Sequence, residues 1–172
     1  MIILLVPLVL FAQSESASDI YGGGVRAYYA GDYESALTKY SAAIKLKPNT
    51  IGYLYSRGIT YQKLSKDSLA DIDFQKVVKL DPRYIDAWYQ RGIIQLSEKH
   101  YDSAFAFFSQ AIRISPSDVK NLHQIGVVLY YKRKYLDAID IFTKIIQISP
   151  DDEQAYYKRG LAKFNDDDFD GA

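Results

Sequence analysis

IDAWYQRGIIQLSEKHYDSAFAFFSQAIRISPSD (85–118) runs without a break into VKNLHQIGVVLYYKRKYLDAIDIFTKIIQISPDD (119–152), and the two segments superimpose without a gap. Gly92 falls on Gly126, Tyr101 on Tyr135, Ala104 on Ala138, Phe108 on Phe142 and Pro116 on Pro150, a spacing of 34 residues throughout. The same period extends along the chain. Proline recurs at Pro48, Pro82, Pro116 and Pro150, and glycine at Gly24, Gly58, Gly92, Gly126 and Gly160. Alanine recurs at Ala36, Ala70, Ala104, Ala138 and Ala172, and a ring at Tyr40, Phe74, Phe108 and Phe142. Several residue types sharing one period of this size mark a chain built by stacking copies of one supersecondary unit. With proline at position 32, the units are 17–50, 51–84, 85–118, 119–152 and a partial fifth, 153–172.

Each unit divides into two helices. In 119–152, Tyr135, Ala138, Ile139, Phe142, Ile145 and Ile146 recur at the spacing that puts them on one helical face, and Tyr101, Ala104, Phe105, Phe108, Ala111 and Ile112 repeat it. The proline ends the second helix, because it cannot continue the hydrogen-bond ladder and disfavours helical geometry in the residue before it. Glycine at position 8 and alanine at position 20 supply clearance, since helix axes approach to about 8–10 Å only where side chains are small. The ring at position 24 fills the space beside them.

LYSRG (54–58), WYQRG (88–92) and YYKRG (156–160), with DYESALTKYSAAIKLKP (32–48), resemble the first-helix and second-helix signatures of the tetratricopeptide repeat. The resemblance covers residues 17–172 and implies an all-α fold, a right-handed superhelical solenoid of antiparallel helix hairpins. It also implies that first helices line the concave side through positions 2, 5, 9, 12 and 13. Position 5 then supplies Tyr21, Tyr55, Tyr89, His123 and Tyr157, and position 9 supplies Val25, Ile59, Ile93, Val127 and Leu161. A tyrosine row beside an aliphatic row suits the grip of an extended or helical peptide, because tyrosine combines a large contact area with few rotors. The opposing reading is that the same row serves packing alone. Some members of the family bind acidic chaperone tails through a clamp of Lys, Asn and Arg. The corresponding positions here are tyrosine and aliphatic, so that ligand is not expected.

Three departures carry expectations. Gly22, Gly23 and Gly24 each cost a helix interior about 0.8–1.0 kcal/mol relative to alanine, so the first helix is expected to fray or begin late. Asp67 and Asp71 replace apolar residues in the second helix of 51–84, which is expected to pack less well. No polar cap follows the partial unit, whose apolar face at 153–165 is expected to lack a partner, as in a fragment of a longer protein. Asp166, Asp167, Asp168, Asp170 and Gly171 match the opening of a calcium loop. The repeat phase explains them without calcium, as acids at a helix start, and no metal is expected.

The other function classes find little support. Lys plus Arg equals Asp plus Glu at 21 each, so no cationic excess exists to neutralise a phosphate backbone, and nucleic acid is not an expected partner. Without cysteine there is no disulfide, thiolate metal site or cysteine nucleophile. His100 and His123 have no triad or zinc spacing, and the Gly22 to Gly24 run lacks the Lys and Ser or Thr of a phosphate loop. No catalysis, cofactor or small-molecule substrate is expected. Arg57, Arg91 and Arg159 recur at position 7, and structural pairing, with Asp73 and Asp140 as partners, is favoured over a basic stripe for an acidic ligand.

Residues 1–16 form a separate leader and short polar linker. MIILLVPLVLFA (1–12) reads as a secretory signal, too short for the roughly 20 residues that cross a bilayer. Cleavage implies an exported, periplasmic or secreted protein. Otherwise the protein is cytoplasmic, with membrane contact only if the leader is retained. The expected function is a non-catalytic scaffold that binds a protein or peptide in the groove. The alternatives are the docking or oligomerisation arm of an enzyme whose catalytic domain lies beyond residue 172, and a structural spacer.

Overall fold

The computed structural model describes residues 15–170, so the leader reading on 1–12 lies outside the described residues. Among these residues the chain is all-α, a helical repeat solenoid. Four hairpins follow one another: α1 (Ala17–Tyr29) with α2 (Tyr33–Leu46), α3 (Ile51–Lys63) with α4 (Asp67–Leu80), α5 (Ile85–Ser97) with α6 (Tyr101–Ile114), and α7 (Val119–Tyr131) with α8 (Tyr135–Ile148). A single helix, α9 (Glu153–Asp170), completes the series. Every first helix from α1 to α7 has 13 residues and every second helix from α2 to α8 has 14.

The proline turns form as the sequence requires. Lys47, Asp81, Ser115 and Ser149, each just before a proline, have left the helical region, with φ between −132° and −135°. The turn inside each hairpin uses a different device. Gly31, Ser65, Lys99 and Arg133, all at position 15, are left-handed, with φ of 80°, 55°, 61° and 58°. Each donates its N–H to the carbonyl three residues back, and the next residue reaches five back, as in Lys99 N to Leu96 O at 3.0 Å and His100 N to Gln95 O at 2.8 Å. This Schellman arrangement satisfies the last carbonyls of the first helix.

Small residues and rings make the seams. Ala36, Ala70, Ala104 and Ala138 are fully buried, and Phe74, Phe108 and Phe142 nearly so. A Cβ built on Gly58 would stand 2.7 Å from Phe74 Cε1, and one on Gly126 2.6 Å from Phe142, so these rings occupy space that any other residue would need. Gly160 differs: among the described residues nothing lies within 4 Å of such a Cβ.

The structure corrects two expectations. α1 begins at Ala17 at full length, held by a capping box between Ser16 and Asp19. Gly24 receives the Tyr40 ring and Gly23 the Lys39 stem, so tertiary contact outweighs the glycine propensity cost. In α4, Ala70, Phe74 and Val77 are at 0 % exposure, but Leu69, Ile72 and Leu80 stay exposed, as the acids on this helix led one to expect, and Asp71 is drawn into an ion pair with Arg91. Finally, α9 runs helically through Asp166–Asp168 to Asp170, where a turn and new helix start were expected.

Left-handed backbone costs a non-glycine residue about 1–2 kcal/mol. Lys99 is exposed, so Lys99→Gly is expected to raise the urea midpoint, adding up to about 1 kcal/mol after the entropy of the freer unfolded chain is subtracted.

Candidate functional site: the face of the first helices

Two clefts open between first helices. One, of about 350 Å³, lies between α1 and α3 and includes Tyr21, Val25, Tyr28, Tyr29, Tyr55 and Ile59. The other, of about 140 Å³, lies between α7 and α9 and includes Val127, Tyr130, Tyr131, Tyr157, Lys158 and Leu161. Tyr55, Ile59, Val127 and Tyr157 thus line a cleft, while Tyr89, Ile93 and His123 stand half-buried between the two clefts. The sequence reading did not name Tyr28, Tyr29, Tyr130 and Tyr131. Its signal was present: both Tyr-Tyr pairs fall at positions 12 and 13, three periods apart.

The position-5 row is tied into the fold at both its ring and its hydroxyl. The rings lie on the position-24 rings, with centroids 5.3 Å apart for Tyr21 and Tyr40, 5.6 Å for Tyr55 and Phe74, and 5.8 Å for Tyr89 and Phe108. The hydroxyls reach position 6 of the next unit. Tyr21 Oη and Ser56 Oγ are 2.9 Å apart, and Gln90 and Gln124 act on the phenols of Tyr55 and Tyr89 against the effect of burial. A parallel bond joins Asn165 Nδ2 to Tyr130 Oη at 3.0 Å. This ladder needs polar residues 35 apart and escapes a search for residues that recur at 34.

Burial pushes the Tyr55 phenol up to about 12 and raises that of Tyr89. These phenols stay neutral at physiological pH and act as hydrogen-bonding groups rather than bases. Lys158, desolvated beside the α7 and α9 cleft, has its ammonium pKa lowered by burial.

His123 interrupts the tyrosine row. Its ring lies 6.2 Å from the Phe142 centroid, and its Nε2 is 2.8 Å from Asp152 Oδ2. Asp152 Oδ1 accepts the Ala155 N–H at the start of α9, and the His123 bond is the largest cause holding the Asp152 carboxyl below its usual range. His123 therefore joins α7 to α9 at a seam, and His100 sits exposed at the start of α6. Among the described residues no cluster of three or more His, Cys, Asp or Glu side chains is placed to hold a metal. None of the described helices is long and apolar enough to cross a membrane.

The position-7 arginines face inward rather than forming a stripe. Arg57 makes a two-pronged pair with Asp73, Nε to Oδ2 at 2.8 Å and Nη2 to Oδ1 at 2.7 Å, and Asp73 is only 2 % exposed. Arg91 pairs with Asp71 at 2.7 Å and lies over the Phe107 ring at 4.2 Å. The expected partner Asp140 is not used by Arg159, whose Nη1 donates instead to Thr143 Oγ1 at 3.4 Å. The reason is register: Asp73 is at position 23, whereas Asp140 is at position 22, one residue around the helix.

Comparison with known proteins gives a consistent result. A sequence family described as TPR repeat matches residues 24–65, and one described as tetratricopeptide repeat matches residues 51–84 and 85–118. No curated protein sequence matches the chain significantly. Among solved structures, the chain resembles the MamA protein at 24 % identity, over 88 % of this chain and 83 % of that one, with a TM-score of 0.83. It resembles YrrB, described as a TPR protein with an unusual peptide-binding site, at 19 % identity over 90 % of this chain and 80 % of that one, with a TM-score of 0.77. The first TPR of Spaghetti (RPAP3), bound to the HSP90 peptide SRMEEVD, matches at 19 % identity over 69 % of this chain and 94 % of that one, with a TM-score of 0.64. At these identities the likeness is one of fold.

The Arg57 and Asp73 pair makes a direct stability test. Arg57→Met strands a buried carboxylate and is expected to destabilise the array by about 3–5 kcal/mol, whereas Arg57→Met with Asp73→Leu recovers most of that loss. Urea denaturation of the three proteins measures both values.

Proposed function

The chain belongs to the tetratricopeptide-repeat family, and on that premise we propose that it is a non-catalytic scaffold which holds a polypeptide segment along the face of its first helices. Its broad role as a protein-interaction module follows from the family. The groove assignment rests on the two aromatic clefts joined by the Ile59, Ile93 and Val127 row, an apolar track crossing several units. YrrB, described as having a peptide-binding site, and the peptide-bound Spaghetti repeat support a peptide as the ligand class.

Ring faces and aliphatic surface carry the contact in this reading. The Tyr21 hydroxyl already has a partner within the fold, and the rings of Tyr21, Tyr55 and Tyr89 contribute shape more than new hydrogen bonds. The carboxylate-clamp residues are absent from the positions that would hold them, so an acidic chaperone tail is a poor match. Apolar side chains spaced to meet successive units suit the track better, with Lys158 favouring a carboxylate near the α9 end.

Selection of a displayed peptide library against the full chain tests the proposal. Ile59→Arg with Ile93→Arg is expected to lower the affinity of selected apolar peptides by at least about tenfold; both side chains are half-buried against the core, so far-UV helicity is measured alongside to establish that the variant is folded. Undiminished peptide binding by the folded double variant would exclude the track.

A further inference from the structure

The α1 and α3 cleft is walled by five rings, Tyr21, Tyr28, Tyr29, Tyr40 and Tyr55, and by the aliphatic side chains of Val25 and Ile59. Each of the two helices has its own second helix in place, so the cleft is not the product of an unfinished unit. Tyr40 is buried, whereas Tyr29 stands 84 % exposed. Burial pushes the phenols of Tyr40 and Tyr55 up to about 12, so these rings are neutral at physiological pH and keep electron-rich faces.

Elsewhere the chain sets its own cations over ring faces. Lys120 Nζ lies 3.7 Å from the Tyr89 centroid and the Arg91 guanidinium 4.2 Å from that of Phe107. Arg57 lies over Tyr61 at 5.7 Å and Lys132 over Phe105 at 5.8 Å. Among the described residues, no such cation lies over any of the five rings of the α1 and α3 cleft, and no basic side chain lines it. The α7 and α9 cleft follows the same plan, with positions 9, 12, 13 and 24 of one unit facing 5, 6 and 9 of the next. Its position 6 is Lys158, a cation of the chain itself, and its volume is about 140 Å³. The corresponding residue in the α1 and α3 copy is the shorter Ser56, and about 350 Å³ stays open.

We propose that the α1 and α3 cleft is a subsite for one arginine side chain of a polypeptide partner. The methylene stem lies against Val25 and Ile59, and the guanidinium lies over the ring faces of Tyr28, Tyr29 and Tyr55. The hydroxyls of Tyr28 and Tyr29, which make no hydrogen bond among the described residues, accept its N–H groups. Arginine is preferred to lysine because no carboxylate lines the cleft. A guanidinium is more weakly hydrated than an ammonium and stacks on rings, so it gives up less on leaving water. The subsite adjoins the Ile59, Ile93 and Val127 track but does not rest on it, since a single residue fills the cleft.

The test titrates the full chain with N-acetyl-Gly-Arg-Gly amide and follows the NMR shifts of the Tyr28 and Tyr29 ring protons. This probe is too short to follow the track, so its binding stands or falls apart from that of longer apolar peptides. The citrulline counterpart keeps the shape and loses the charge, and it is expected to bind at least about tenfold more weakly. Tyr29→Leu keeps apolar area at an exposed position and is expected to lower the affinity for the arginine probe about threefold or more. Ser56→Lys gives this cleft a cation of its own, as Lys158 does in the other copy, and is expected to abolish saturable binding. Thermal midpoints of both variants establish that they are folded. Equal affinity for the arginine and citrulline probes, or undiminished arginine binding by the folded Tyr29→Leu protein, would overturn the proposal.

Discussion

Within each of the four hairpins the helices cross at a glycine, and a ring from the second helix lies where a side chain on the first would stand. Phe74 over Gly58 and Phe142 over Gly126 approach the backbone so closely that no Cβ fits between them. The buried alanine one turn away lets the second helix come down far enough for that contact. Clearance at one point thus fixes the separation of two helices along their length. Repetition of the same clearance every 34 residues turns a local contact into a solenoid. The groove is a by-product of that geometry, since first helices held at one separation expose one side in register.

Much of this was legible in the sequence because the seam demands particular residue types. Few side chains fit under a ring, so the glycine, alanine and aromatic series survive in phase and announce the hairpins. The hairpin turns were not legible in the same way. A left-handed backbone at position 15 tolerates Ser65, Lys99 and Arg133 as well as Gly31, so no residue type marks it. The reading of Gly22 to Gly24 failed because it weighed local propensity against nothing. The contacts that Tyr40 and Lys39 make with Gly24 and Gly23 are tertiary and invisible to a helix scale. Asp71 was legible as an acid on an apolar face, but its partner, Arg91 of the next unit, was not.

The candidate row was legible from its period, whereas the contacts that hold it were not. The rings of the position-5 row rest on the core, and the Tyr21 hydroxyl is bonded to Ser56 of the next unit. The exposed part of the face is mainly ring and aliphatic surface, deepened by the tyrosines at positions 12 and 13. His123 breaks the row because it bonds to Asp152 at the start of α9, a role that depends on the following unit. Binding chemistry of this kind needs neither a perturbed base nor a metal.

The clearance claim is tested most directly by a double-mutant cycle at one crossing, with Gly126→Ala, Phe142→Leu and both changes measured by urea denaturation. Helix propensity alone predicts that Gly126→Ala adds about 1 kcal/mol of stability. The account predicts the opposite sign, a loss of about 1–3 kcal/mol from overpacking against the ring. It also predicts that most of this loss disappears in the Phe142→Leu background, where the ring is gone, leaving a coupling energy of about 1 kcal/mol or more. A stabilising Gly126→Ala, or effects that add within about 0.5 kcal/mol, would contradict it.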